Sequence, residues 1–183
     1  MGSRKRDTSR SKRALASVPP STTRKQLLID GTDRQFREFI DDFVQLSGRL
    51  QALRQALARA MGMTAPQYNI LMILARAEVP AGVSMSALAR RLGVSLSFVV
   101  SQTQTLERMS LVELRRNPSD RRSVLAALTR GGRTRIIRAA TRIQRVNDRL
   151  FASLTRAELR TIDGVIKRIL RGSEAAALAL KGK

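Results

Sequence analysis

The chain has 183 residues, of which 43% are hydrophobic but only 3% aromatic, and it carries a formal net charge of +21. That length suits one domain with an extension. So large a positive charge repels itself unless it meets a polyanion, nucleic acid before a membrane surface. Cysteine and histidine are both missing, which excludes disulfides, thiol redox sensing, Cys- or His-based metal sites and the commonest general base.

Residues 1–30 are rich in Arg, Lys, Ser, Thr and Pro and show no periodicity before Leu27-Leu28-Ile29. Low hydrophobicity with high charge predicts a disordered basic tail, either a solubilising extension or a flexible arm on phosphates. No apolar run follows the charged start, and no stretch of about 18 apolar residues occurs anywhere. The tail therefore does not read as a secretory signal, no membrane partner is expected, and the expected location is the cytoplasm, on the nucleoid.

Thr32-Asp33-Arg34-Gln35 reads as a capping box. The apolar residues that follow, from Phe36, Phe39, Ile40 and Phe43 to Leu57, recur every three or four positions. They predict a long amphipathic helix over 31–62, reaching roughly 40 Å, the kind of end helix that packs on a second subunit. Thr64-Ala65-Pro66-Gln67 is a second capping box, opening a helix that stops at the 78–82 loop. Ser86 is the expected cap of a short helix ending at Gly93, and Ser95 of the next. Beyond Thr129 the pattern is helical again, with Ile136, Ala140, Ile143, Val146 or Asn147, and Leu150 on one side. Arg138, Arg142, Arg145 and Arg149 line another side, read here as a solvated face. A third capping box, Thr155 to Glu158, starts a last helix carrying Leu159, Ile162, Val165, Ile166, Ile169 and Leu170.

The segment between Ser86 and Thr129 carries the chemistry. Leu88, Ala89 and Leu92 read as inward before the Gly93-Val94 turn, and Val99, Gln102 or Thr103, and Leu106 after it. The other faces of the second helix show Ser97, Phe98, Ser101, Gln104 and Thr105, without a charge before Glu107. Short neutral hydrogen-bonding groups suit base edges, and in so basic a chain a merely solvated face would carry arginine. Two strands follow, Leu111 to Arg116 and Val124 to Leu128, joined by the Asn117-Pro118-Ser119-Asp120 turn. The tip is expected to project Arg121 and Arg122, with Asp120 orienting the Arg122 guanidinium by a charge-assisted bond. An arginine so aimed gains most in the narrow minor groove of A/T-rich DNA. The predicted architecture is mainly α with a small β-hairpin wing, a winged helix-turn-helix over 63–129 between a first helix (31–62) and C-terminal helices (130–183).

From Met63 to about Arg135 the chain resembles the MarR family of bacterial transcription regulators. The matching positions are Thr64, Gln67, Leu71, Leu74, Leu88-Ala89, Leu92-Gly93-Val94, Leu106-Glu107, Leu111-Val112, Asp120-x-Arg122 and Leu128-Thr129. The resemblance implies a homodimer joined through its first and last helices, bound to double-stranded DNA. It places Ser97, Phe98, Ser101, Gln102 and Thr105 at the bases and Arg122, held by Asp120, in the minor groove. Arg115, Arg116 and Arg121 are the expected phosphate contacts. Three features depart from the family pattern: Ser110 where a left-handed glycine is common, Ser101 where many members carry a long basic side chain, and the long basic tail.

Many such proteins release DNA when a small, often aromatic, anion binds near the first two helices. Phe39, Phe43, Arg49, Met63 and Tyr68 are the nearest liners by resemblance, though each also reads as a core or ion-pair residue. The expected function is a dimeric, sequence-specific repressor relieved by a small-molecule effector, without a cofactor. The alternative is an architectural or nucleoid-coating protein of low sequence specificity. An enzyme is not expected, because the carboxylates are scattered and no phosphate-binding glycine loop occurs.

Overall fold

The computed structural model describes residues 19–77 and 82–181, without the side chains of Arg121, Glu174 and Lys181. Residues 1–18 of the basic tail, most of the 78–82 loop and the last two residues lie outside the described residues. In chain order the elements are α1 (Arg34–Ala60), α2 (Ala65–Arg76), β1 (Val83–Ser84), α3 (Met85–Leu92), α4 (Leu96–Arg108), β2 (Val112–Asn117), β3 (Asp120–Leu128), α5 (Arg130–Leu150) and α6 (Arg156–Lys181). The chain forms two compact units, 1–52 and 53–183, whose boundary falls inside α1.

In the first unit, Ile29 and Thr32 exchange backbone hydrogen bonds of 2.9 and 3.0 Å around Asp30 and Gly31. Both central residues have positive φ, 51° and 74°, the geometry for which Asp-Gly is suited. α1 then starts one residue later than the Thr32 capping box requires. The Thr32 hydroxyl donates instead to the Ile29 carbonyl, at 3.2 Å, because the turn already claims that residue. Asp33 stands just before α1, and its carboxylate accepts from the Ser21 N–H, the Ser21 hydroxyl (2.7 Å) and Arg37 Nε (2.8 Å) rather than from the backbone N–H groups of the helix. Arg37 also donates to the Pro19 carbonyl at 2.9 Å. The two Ser21 bonds, then Arg37, hold the Asp33 carboxyl well below the usual carboxylate range. Along the rest of this half of α1, Phe39, Ile40, Phe43, Val44 and Leu46 remain 39–64% exposed.

The second unit owns the hydrophobic core. Ile70 and Leu71 of α2, Leu88 of α3, Val99 and Leu106 of α4 and Val112 of β2 are almost completely covered. Burying aliphatic side chains of this size contributes about 1.5–3 kcal/mol each. Ile136, Ala139, Ile143 and Val146 of α5 pack against that core, which settles Val146 over Asn147 as the inward residue. Gln67 Oε1 accepts the Thr64 N–H at 3.0 Å, as the second capping box predicts. At the start of α6 both halves of the Thr155–Glu158 box form, at 2.8 and 3.3 Å. Among the described residues no α6 side chain is buried, and Leu159, Ile162, Ile166, Ile169 and Leu170 stay 39–59% exposed.

Two expectations are corrected here. The sheet has three strands, in the order β1-β3-β2, because Val83 and Ser84 pair antiparallel with Ala126 and Leu125. That pairing puts Ser84, already extended, at the head of α3, where its hydroxyl accepts from Ala87 N–H at 3.3 Å. Ser84, not Ser86, is therefore the cap. Gly82 is required beside it: at φ +102° a Cβ there would sit 2.5 Å from the Ala126 carbonyl oxygen.

Candidate nucleic-acid interface

The turn between α3 and α4 is closed at both ends by local chemistry. Gly93, at φ 66°, lets Val94 N–H reach back to the Ala89 carbonyl (3.1 Å) and so satisfies the end of α3. Ser95 Oγ then accepts the Phe98 N–H at 3.2 Å and starts α4. Val99, Thr103 and Leu106 are fully buried, so Thr103 rather than Gln102 is the inward residue. Its hydroxyl donates to the Val99 carbonyl at 2.8 Å, which lets a polar side chain sit in the core. At 100° per residue, the opposite face carries Ser97, Ser101, Gln104 and Thr105, with Phe98 and Gln102 on its flank toward the buried stripe, all exposed or half-exposed. Thr105 is occupied, donating to the Ser101 carbonyl (3.1 Å) and accepting from Arg108 (3.0 Å). Among the described residues, Ser101, Gln102 and Gln104 make no side-chain hydrogen bond and remain available.

The far end of α4 is anchored three ways. Glu107 accepts the Leu114 N–H of β2 at 3.3 Å. Ser110 N–H donates to Glu107 O (2.8 Å) and Leu111 N–H to Leu106 O (3.0 Å), the same wrap that Gly93 makes after α3. Ser110 holds φ 58°, so the left-handed conformation common to glycine there is kept with a serine, at a cost of about 1–2 kcal/mol. Its carbonyl accepts the Thr129 hydroxyl at 2.7 Å, and Thr129 Oγ1 accepts the Gly132 N–H at 3.0 Å. A Cβ on Gly132 would lie 2.1 Å from the Leu111 carbonyl oxygen. The first turn of α5 therefore presses directly on the connection that ends α4. Nothing in the helical periodicity of α5 marks Gly132 as a contact; only a glycine pair opening a helix hints at close approach.

β2 and β3 run from Val112↔Leu128 to Asn117↔Asp120, leaving Pro118 and Ser119 as the tip of the wing. Arg122 thus lies inside β3 rather than at the tip, and it is exposed. The carboxylate of Asp120 accepts the backbone N–H of Arg122 at 3.0 Å. The bond is therefore to the backbone and not to the guanidinium: Asp120 shapes the turn from which Arg122 emerges. Asn117 and Ser123 brace the same turn: Asn117 Nδ2 donates to Ser123 Oγ (2.9 Å), Asn117 Oδ1 accepts Ser119 N–H (3.0 Å), and Ser123 Oγ donates to the Asp120 carbonyl (3.0 Å). Asn117 is legible as a turn former; Ser123 has no signal in the sequence. Arg115 is held by Glu113 on its own strand, whereas Arg116 and Arg122 are exposed and join no ion pair among the described residues. The Arg121 side chain lies outside the described residues.

The residues expected to line an effector pocket divide between the two units. Phe39 and Phe43 pack with ring centroids 6.1 Å apart and planes tilted by 34°, both exposed, and Arg49 is exposed on the same helix. Met63 and Tyr68 are buried in the core of the second unit, where burial raises the Tyr68 hydroxyl pKa. The second unit also has an open cleft of about 200 Å³ lined by Leu57, Ala60, Met61, Arg135, Arg138, Ala139 and Arg142. Arg135 there donates to the Met61 carbonyl at 2.9 Å.

Comparison with known proteins agrees with this fold. Residues 61–123 match the family model described as MarR family. A Thauera aromatica protein named for transcriptional regulation of the hcr operon is 30% identical over 127 residues, covering 68% of this chain and 75% of that protein. Among solved structures, CouR from Rhodococcus jostii RHA1, bound to p-coumaroyl-CoA, superposes with a TM-score of 0.62 at 24% identity, over 69% of this chain and 87% of that one. PcaV from Streptomyces coelicolor, in complex with its natural ligand, does so at 0.53 with 28% identity, over 70% and 91%.

Proposed function

Because the chain belongs to the MarR family of transcriptional regulators, whose DNA-binding winged helix it carries, we propose that it acts as a homodimeric, sequence-specific repressor relieved by a small-molecule effector. The observation that carries this reading is the outer face of α4. It is uncharged and mostly polar, with Phe98 on its flank, it stands opposite a fully buried stripe, and it is flanked by a braced wing bearing Arg122. Such a division of labour suits bases read by short side chains and phosphates held by arginines.

A second copy of the chain is the occupant that the exposed aliphatic faces of α1 and α6 call for, since apolar patches of this extent mark interaction surfaces. Two copies would read two half-sites about one helical turn apart, so the operator would be a pseudo-palindrome. The effector reading draws support from PcaV, solved with its natural ligand. The cleft lined by Arg135, Arg138 and Arg142 over Leu57, Met61 and Ala139 suits an anion with an apolar body.

Mapping the genomic fragments that the protein binds, then measuring competition against bulk DNA at near-physiological salt, tests the reading. A specific regulator prefers its site by about a thousandfold or more; equal affinity for all fragments would leave an architectural protein instead. On the operator so identified, Arg122→Ala should weaken binding by about 1–3 kcal/mol without altering the melting transition. Unchanged affinity would remove the wing from the interface.

A further inference from the structure

We infer that the half-site contacted by α4 is built on A·T pairs, with Phe98 packed on a thymine methyl and Gln102 paired with an adjacent adenine. The inference rests on the sequence-specific reading above and names what that site selects.

Guanine is most often read by Arg or Lys, and cytosine by a carboxylate. Between Leu96 and Leu106, α4 has neither. Glu107 is engaged with the Leu114 N–H and Arg108 with the Thr105 hydroxyl, both in the last turn. What remains exposed is Ser97, Phe98, Ser101, Gln102 and Gln104. Serine accepts either kind of edge. Glutamine pairs with N6 and N7 of adenine, and a phenyl ring meets the one apolar group in the major groove, the C5-methyl of thymine.

Phe98 is 37% exposed on the flank of this face, in a protein of net charge +21. An exposed phenyl ring in the first turn of a groove-reading helix is otherwise unaccounted for. Phe98 and Gln102 stand one turn apart on the same side, an axial rise of about 6 Å, which suits adjacent base pairs rather than one. Gln102 has no hydrogen bond of its own to break among the described residues.

The test is a selection by the full-length protein from a randomised duplex pool, followed by uracil-for-thymine replacement in the enriched site. A·T pairs at two adjacent positions of each half-site are expected. Removing one thymine methyl should weaken wild-type binding about fourfold, and Phe98→Ala should bind the thymine and uracil duplexes equally. Gln102→Leu should reduce the preference for adenine at the neighbouring pair by about five- to 150-fold. Enriched half-sites with G·C at these positions, or a wild-type protein indifferent to every uracil replacement, would overturn the inference while leaving specific binding intact. A pool that yields no enriched sequence would overturn sequence-specific reading and this inference together. The wild-type uracil scan decides the matter even if a variant fails to fold.

Discussion

Leu88 in α3 and Ile166 in α6 are both aliphatic residues on the apolar faces of amphipathic helices, yet Leu88 is fully covered and Ile166 is 39% exposed. Leu88 belongs to a lobe that closes its own core from three helices, the end of α1, a sheet and one side of α5. Ile166 belongs to a helix of 26 residues that buries nothing among the described residues. The contrast teaches where intramolecular folding stops. Residues that position α4 and the wing are fixed within one chain, whereas the apolar face of α6 is left uncovered among the described residues.

The contrast is broken most sharply by a pair of substitutions. Leu88→Ala should lower the stability of the lobe by about 2–5 kcal/mol in denaturant unfolding. Ile166→Glu should leave that transition in place and shift the sedimenting species from dimer to monomer. If Ile166→Glu instead unfolds the lobe, α6 is part of the core after all.

Gly132→Ala tests how tightly the lobe is closed. Its Cβ would meet the Leu111 carbonyl oxygen, so a loss at the upper end of about 1–3 kcal/mol is expected, seen as a lowered melting midpoint with α6 unaffected. Ser110→Gly runs the other way. Releasing a serine from φ 58° should stabilise the lobe by about 1 kcal/mol, and no gain would mean that its local hydrogen bonds already offset the strain.

The smallest effect lies in the first unit. A carboxyl held below its usual range stabilises the fold fully above the unfolded pKa, and that contribution is lost as pH falls below about 4. Acid should therefore free the Ser21 N–H from Asp33 while the lobe stays folded, which amide exchange at Ser21 against core amides would read out. Simultaneous loss of both would show that the two transitions are not separate.

Much of the lobe is legible in the sequence because its punctuation is local. Gly93, Ser95, Thr64 with Gln67 and Thr155 with Glu158 each act within a few residues, and all four appear where their chemistry requires. What could not be read depends on partners far along the chain. Two residues, Val83 and Ser84, make no strand until Leu125 and Ala126 arrive beside them, and that pairing moves the cap of α3 from Ser86 to Ser84. The start of α1 likewise shifts because the Asp30-Gly31 turn claims Thr32, and the carboxylate of Asp33 then finds its donors in Ser21, twelve residues earlier. At the wing, spacing alone finds Asp120 and Arg122 but not which group of Arg122 the carboxylate holds. An acid two residues before an arginine can reach the backbone N–H more readily than the end of a long side chain.

The seam among Ser110, Leu111, Thr129 and Gly132 makes α5 a lever. Its 21 residues extend about 31 Å from that seam. The seam leaves no room for slip, since backbone lies against backbone at Gly132 and one hydroxyl bonds both the Ser110 carbonyl and the Gly132 N–H. A tilt imposed at the remote end of α5 is therefore delivered to the connection that ends α4 as rotation, with no slack between the two helices to absorb it.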